Sequence, residues 1–435
     1  VSSATSLDEV LRVEGGRILA VLTRHLGDLD RAQDALQDAA VAAVEVWSRS
    51  GLPSDPGAWL YVAARRKAID AGRREQRRHD KERDSLALGE QLARDLPVAS
   101  VVRDDVLRLV FTCCHPALAL DTRVALSLRT ICGLSTAEVA RVLLVSEATM
   151  AKRLTRAKAK IRQAGIAYRI PDAEDLPDRL AGVAAVVHLV YTAGHAGSGE
   201  ALVRADLCAE AIRLARILAE QLPDEPTPQG LLALLLLTEA RRPARLGPAG
   251  ELVPLDRQDR RRWSAPALAE GRAWLERSLE RSAGLADSYQ LQAAIAACHG
   301  AARSYEATDW AEILRLYRLL AQLHPNPVVD VNLAVALGEV DGPGAALAAL
   351  EAMPEAGRSY AWHAARGEAL HRLGDAGAAE AALLRAAAGA PSEPEARHLR
   401  HLARRRAGPA RASRPAAGVA RSRTSSTAPR RSRDR

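Results

Sequence analysis

The stretch that most constrains this chain runs from Leu134 to Arg162, LSTAEVARVLLVSEATMAKRLTRAKAKIR. It reads as two short helices joined by a tight turn. Ser135 with Glu138 three residues on has capping-box spacing, which satisfies two free backbone donors at a helix start. Val139, Ala140, Val142 and Leu143 supply an apolar face, and Ser146, followed by Glu147 and Thr149, offers a second N-cap. The second helix turns Met150 and Leu154 inward at i, i+4. From Ala151 to Arg162 it carries six basic residues and no acid: Lys152, Arg153, Arg156, Lys158, Lys160 and Arg162. Such a helix fits the major groove, with its first turn toward base edges and its flanks on phosphates. A basic amphipathic helix is as often a solvated face, so spacing alone leaves both readings open.

The net charge of +8 does not decide between them. Arg411 to Arg435 holds eight arginines and one acid, so the tail supplies nearly all of the excess. Alanine, leucine and arginine dominate while aromatics make up only 3%, which favours helices. A length of 435 residues implies two or three domains. No apolar run reaches the roughly 18 residues of a membrane span, and no signal peptide is evident, so a cytoplasmic protein without membrane contact is expected. The five cysteines (Cys113, Cys114, Cys132, Cys208 and Cys298) form no CxxC pair, and they read as small buried apolar residues. Cys113-Cys114-His115 lacks a second ligand pair nearby, so no metal is expected there.

Taken in order, Leu7 to Leu26 is helical in spacing until Gly27-Asp28 breaks it. The helix DRAQDALQDAAVAAVEVW follows, with Ala35, Leu36, Ala39, Ala40, Ala43 and Val44 expected inward. Gln33, Asp34, Gln37 and Asp38 form a polar patch, which fits a solvated face or a docking surface for a basic partner helix. After the turn-rich SRSGLPSDPG comes AWLYVAARRKAIDAGRREQRRHDK. Arg65 to Arg83 counts nine basic and four acidic side chains. A basic helix with Trp59 and Tyr61 near its start suits DNA with separated strands, where bases stack on rings; two core aromatics above a solvated face fit as well. Residues 84–100 read as a linker. Two further helices, VVRDDVLRLVFTCCHPAL and LDTRVALSLRTICG, then complete a four-helix domain with the helix-turn-helix.

The acidic DALQD helix, WLYVAARRKAID with trailing arginines, a linker and a helix-turn-helix ending TMAKRLTRAKAKIR together resemble the extracytoplasmic-function sigma factors of RNA polymerase. FTCCHPAL, AYRIP, LVRADLCAEAIRLARILAEQLPDEP, ARRPAR, YQLQAAIAACH and TDWAEILRLY are similar to the subgroup with a long helical C-terminal extension. The resemblance covers Leu7 to about Leu402. It implies an all-α chain of five parts: sigma region 2 at 1–83, a linker at 84–100, region 4 at 101–170, a helical extension with tetratricopeptide-like (TPR-like) repeats at 171–402, and a disordered arginine-rich tail at 403–435. It implies that Gln33, Asp34, Gln37 and Asp38 dock the β′ clamp helices of core RNA polymerase, while region 4 meets the β flap. Trp59, Tyr61, Arg65, Arg66, Arg73 and Arg74 would read and open the minus-ten element. Ser146, Thr149, Lys152, Arg153, Arg156, Lys158 and Lys160 would read the minus-thirty-five element of promoter DNA. Two positions depart from the family pattern. Arg66 stands where many relatives have asparagine, which implies a shifted promoter preference. Ala40 stands where phenylalanine is usual, which implies a thinner core.

Beyond Pro171, Tyr360 to Glu393 carries Gly367, Leu370, Ala379, Leu383, Ala386 and Pro391 at the spacing of a repeat of about 34 residues. Val328 to Pro354 is a shorter version. Stacked helix pairs of this kind form a curved solenoid whose concave face takes a peptide, a protein or a neighbouring domain. LGPAGELVPLDRQDRRRW reads as a loop. No phosphate loop, paired catalytic carboxylates or nucleophile elbow occurs, so an enzyme is not expected and neither is a cofactor. The expected function is promoter-specific transcription initiation, with the extension regulating it in cis. The alternative is a DNA-binding regulator whose C-terminal half senses a peptide and which never docks on polymerase.

Overall fold

The computed structural model describes residues 3–79, 99–143, 145–196, 204–248, 251–282, 284–354 and 358–406. Most of the expected linker and nearly all of the arginine-rich tail lie outside the described residues. Among the described residues the chain is helical, and its one β-bridge joins Leu246 to Leu252 inside the predicted loop. The first unit comprises α1 (Ser3–Leu26), α2 (Leu29–Ser50) and α3 (Pro56–His79). Gly27, at φ 66°, ends α1, and the Asp28 side chain caps α2 by accepting from the amides of Asp30 and Arg31. Ala32, Ala35, Ala39, Ala43 and Trp47 form the buried stripe of α2. That stripe is narrower than the sequence suggests: Leu36 and Ala40 are half-buried and Val44 is exposed, because α1 and α3 cover only one side of the helix.

The second unit comprises α4 (Ala99–Cys113), α5 (Leu120–Thr130), α6 (Thr136–Val142) and α7 (Glu147–Gln163). The Ser135–Glu138 capping box is fully formed, and the Ser146 hydroxyl accepts from the Thr149 amide at 3.2 Å. Met150, Leu154, Ala157 and Ile161 are the buried face of α7. The two units press directly together. Gly16 of α1 meets the turn before α6, where an added Cβ would collide with the Ile131 carbonyl. In that turn Gly133, at φ 69°, backs onto the Leu11 carbonyl.

The extension begins with α8 (Leu176–Ala196), α9 (Ala205–Gln221) and α10 (Pro226–Glu239), then the single turn α11 (Arg242–Arg245). It continues with α12 (Ala265–Arg281), α13 (Ser288–Ala301), α14 (Trp310–Leu323), α15 (Pro327–Val340), α16 (Pro343–Glu351), α17 (Tyr360–Arg372), α18 (Ala376–Ala388) and α19 (Glu393–Arg406). One continuous apolar core runs from Leu7 through Trp47, Phe111, Met150 and Val187 to Leu236, so α8 to α10 share a core with the first seven helices. The extension is therefore rooted in region 170–180 rather than hung from it. Tyr168 and Arg179 fasten this junction, since the Arg179 guanidinium donates to the Phe111 carbonyl at 2.9 Å. Past α10 the core divides into small clusters, each shared by consecutive helices, as a solenoid requires. Its hairpins close on small residues. A Cβ on Gly338 would stand 2.8 Å from the Ala346 Cβ, and one on Gly367 would stand 2.8 Å from the Leu383 Cγ.

Candidate nucleic-acid interface

Helix α7 presents two different faces. Lys152, Arg156 and Lys160 are exposed, and with Thr149 and Arg153 they line an open groove against Leu118 and Ala119 in the turn before α5 and Thr122 in its first turn. Arg153 is half-buried there, 3.9 Å from the Asp121 carboxylate. This face can meet DNA. Lys158 lies on the other side, where its ammonium is 3.4 Å from Asp30 at the start of α2. Arg162 pairs with the same carboxylate. Of the expected upstream-element residues, Lys158 is thus held against the first unit, and the others share the open side, with Ser146 capping the helix.

The polar patch on α2 faces this covered side. Gln33, Asp34 and Gln37 line one cleft with Arg129, Thr130, Ala151, Thr155 and Lys158, and the Gln33 amide donates to the Thr130 hydroxyl at 3.3 Å. Asp34, Gln37 and Asp38 remain exposed, with Asp38 lying outside the cleft lining. Ala40 is half-buried on the cleft wall, so its small side chain widens the cleft rather than thinning the core. Beside the patch, Val41 and Val44 are exposed apolar side chains without cover.

On α3, Trp59 is half-buried, edge-on to Trp47 at 5.5 Å between ring centroids. Tyr61 is buried, and burial pushes its phenol above the ordinary range, so this ring packs in the core rather than awaiting a base. Arg65 is half-buried and Arg66 exposed; the side chains of Arg73 and Arg74 lie outside the described residues.

Three contacts tie the units to one another and to the extension. Arg12 of α1 lies 3.3 Å from Glu138 of α6 and 3.3 Å from Asp206 of α9. The wholly buried Asp105 of α4 is paired with Arg24 of α1 at 3.4 Å and with Arg108 at 2.8 Å. The Tyr168 hydroxyl sits between the carbonyls of Ala20, 2.8 Å away, and Asp105, 2.7 Å away. Sequence reasoning passed over Arg12, Asp30 and Tyr168, because their partners lie more than sixty residues distant and no local pattern marks them.

Residues 12–78 match the sigma-70 region 2 family, and residues 108–161 match sigma-70, region 4. The chain belongs to the sigma-70 family. Its order of region 2, region 4 and helical extension is that of an extracytoplasmic-function sigma factor with a C-terminal extension, and the two regions make it a factor that directs promoter recognition with core RNA polymerase. Within the extension, residues 179–279 match a family of unknown function (DUF6596). The chain is 43% identical over 397 residues to an uncharacterized protein, R00370, of Rhizobium meliloti (strain 1021), covering 88% of this chain and 93% of that protein. No solved structure matches. Among the described residues no helix is long and apolar enough to cross a membrane.

One cluster of metal-ligand types occurs among the described residues: His195, Cys208 and Glu239, with ligand atoms within 4.8 Å of one another. The Tyr191 hydroxyl lies between two of them, 3.3 Å from His195 Nδ1 and 3.2 Å from Glu239. Burial and then the guanidiniums of Arg245, Arg241 and Arg242 hold His195 down at about 3. The same positive surroundings oppose a cation.

Proposed function

We propose that this sigma factor is regulated in cis by its extension, which holds regions 2 and 4 in a closed arrangement. In this reading Gln33, Asp34, Gln37 and Asp38 dock on the clamp helices of the polymerase β′ subunit. Trp59, Arg65 and Arg66 serve the minus-ten element, and the open side of α7 serves the minus-thirty-five element. The observation that carries the reading is the cleft in which the α2 patch and α7 line opposite walls, bridged by Asp30 to Lys158 and Arg162. A clamp helix laid on Asp34 and Gln37 would need the space that α7 occupies, so docking requires region 4 to move away from region 2. Arg12, which joins α1, α6 and α9, makes the extension a party to that closure.

The test is binding and in-vitro transcription with purified core polymerase at limiting concentration. Asp30→Ala and Arg12→Ala are expected to raise both. Unchanged binding and transcript yield in both variants would remove the regulatory role. Absence of any binding to core polymerase by the wild-type protein would favour a regulator that acts on DNA alone. Deletion after Arg169 is a poor substitute, because it strips Leu180, Val187 and Leu207 from the shared core.

A further inference from the structure

Arginines in the extension are, as a rule, provided for. Arg204 pairs with Asp206, Arg213 with Glu210, Arg216 with Glu270 and Arg242 with Glu239. Arg245 donates to the His195 carbonyl at 2.7 Å, and Arg260 donates to the carbonyls of His299 and Ala302 and to the Thr308 hydroxyl. Arg241, just past the end of α10, differs from these. Among the described residues its guanidinium has no carboxylate and no hydrogen-bond acceptor, and its Nε is shielded from solvent without a partner. The Trp263 ring lies against it, 5.4 Å from its guanidinium carbon to the ring centroid, and Arg260 lies against the same ring at 4.9 Å.

Arg241 lines a cavity of about 540 Å³ between α8, α10, α13, α14 and the start of α15. That volume lies in the range of small-molecule sites. A second orphaned polar atom lines the same cavity: Nδ1 of the buried His299 has no partner either. Burial, with Arg241 and Arg260 adding to it, holds His299 down at about 3, so that ring is neutral. No carboxylate lines the cavity; its polar groups include Tyr289, Tyr317 and Gln292, and its walls include Ile295, Leu320 and Val329. A buried cation without a counter-charge is unfavourable, whereas a planar guanidinium matches a carboxylate two-pronged.

We propose that this cavity is a binding site for a small organic monocarboxylate. The carboxylate would pair with Arg241, and its apolar body would lie along Tyr289, Tyr317 and the aliphatic wall. One guanidinium balances one charge, and no second arginine or lysine lines the cavity, which favours a carboxylate over a phosphate dianion. This goes beyond the closure of regions 2 and 4 and does not depend on it, since binding is read without polymerase or DNA.

The experiment uses the full-length protein with 4-phenylbutyrate, its neutral amide and phenyl phosphate as probes, followed by calorimetry and thermal unfolding. The expected result is saturable binding and stabilisation by 4-phenylbutyrate, at least tenfold tighter than by the amide. Arg241→Met should abolish that preference, while Arg262→Gln, at an exposed arginine outside the cavity, should keep it. Without ligand, Arg241→Met is expected to melt no lower than the wild type, because an unbalanced buried charge has been removed. Should Arg241→Met not fold, Arg241→Lys keeps the charge and loses the planar fork, and should weaken the acid while leaving the amide unchanged. No saturable binding, equal binding of acid and amide, or a preference for phenyl phosphate would each overturn the proposal.

Discussion

The Asp30 carboxylate stands 3.4 Å from the Lys158 ammonium, joining the first turn of α2 to the inner face of α7. Arg162 shares the same acid, so one side chain holds two cations of α7. All three groups are partly exposed, and such pairs contribute about 0–1 kcal/mol each. Asp30→Ala is therefore expected to loosen the closed arrangement without unfolding either unit. Affinity for core polymerase should rise about two- to fivefold, measured by anisotropy of a labelled protein, with an unchanged far-ultraviolet spectrum. An affinity equal to that of the wild type would mean that the cleft does not oppose docking.

Reversing the charge of the patch tests the opposite side of the cleft. Asp34 and Asp38 are exposed and carry no packing role, so Asp34→Arg with Asp38→Arg should leave helicity intact. The double variant is expected to lose co-purification with core polymerase, because like charge would face the basic clamp surface. Retained co-purification would rule out the docking role.

The helices and their caps were legible in the sequence because their causes are local. Ser135 with Glu138 and Ser146 with Thr149 act within one turn, and the Met150–Leu154 spacing already fixes the inner face of α7. The side of α7 on which Lys158 would fall was not legible, since it depends on Asp30, more than a hundred residues earlier. Tyr61 illustrates the same limit: an aromatic residue on a basic helix fits the core and a base stack equally well, and only the packing of α3 against α1 and α2 decides. The short junction with Pro171 and Pro177 favours a fixed geometry of the extension against region 4, but that α8 to α10 share one apolar core with both units is visible only in three dimensions. Arg241 was unremarkable in a chain rich in arginine, and its missing counter-charge is visible only in three dimensions.

Within α7, position should separate base reading from phosphate contact. Arg153 lies in the second turn and lines the groove with Thr149, while Lys160 is exposed near the far end. Arg153→Ala is expected to relax preference at one upstream base pair, by about 1–3 kcal/mol if the contact is two-pronged. Lys160→Ala should weaken all promoters alike and lower the salt slope by about one. Binding titrations on a set of promoter variants at several salt concentrations read both effects. A sequence-specific loss at Lys160 with none at Arg153 would reverse the assignment.

Acid should open the junction that Arg12 holds. Glu138 sits below the usual carboxylate range: burial acts to raise it, and the hydrogen bonds with Ser135 together with Arg12 and Arg204 outweigh that. Asp206 is likewise lowered, burial being outweighed by the hydrogen bonds and charge of Arg204, the Leu207 amide and Arg12. Groups depressed in the folded state stabilise it fully above their unfolded values, and that contribution is lost as pH falls through the depressed ones. The contact between α1, α6 and α9 should therefore hold steady from neutral pH down to about pH 5 and weaken below about pH 4. Arg12→Ala removes part of what depresses both acids, so its loss of stability on acidification should begin at the same pH as in the wild type, set by the unfolded chain, but be shallower and finish at higher pH. Hydrogen exchange of the α1 and α6 amides across this range, for both proteins, reads the effect directly. Identical acid profiles in the two proteins would mean that Arg12 contributes nothing to holding the extension against region 2.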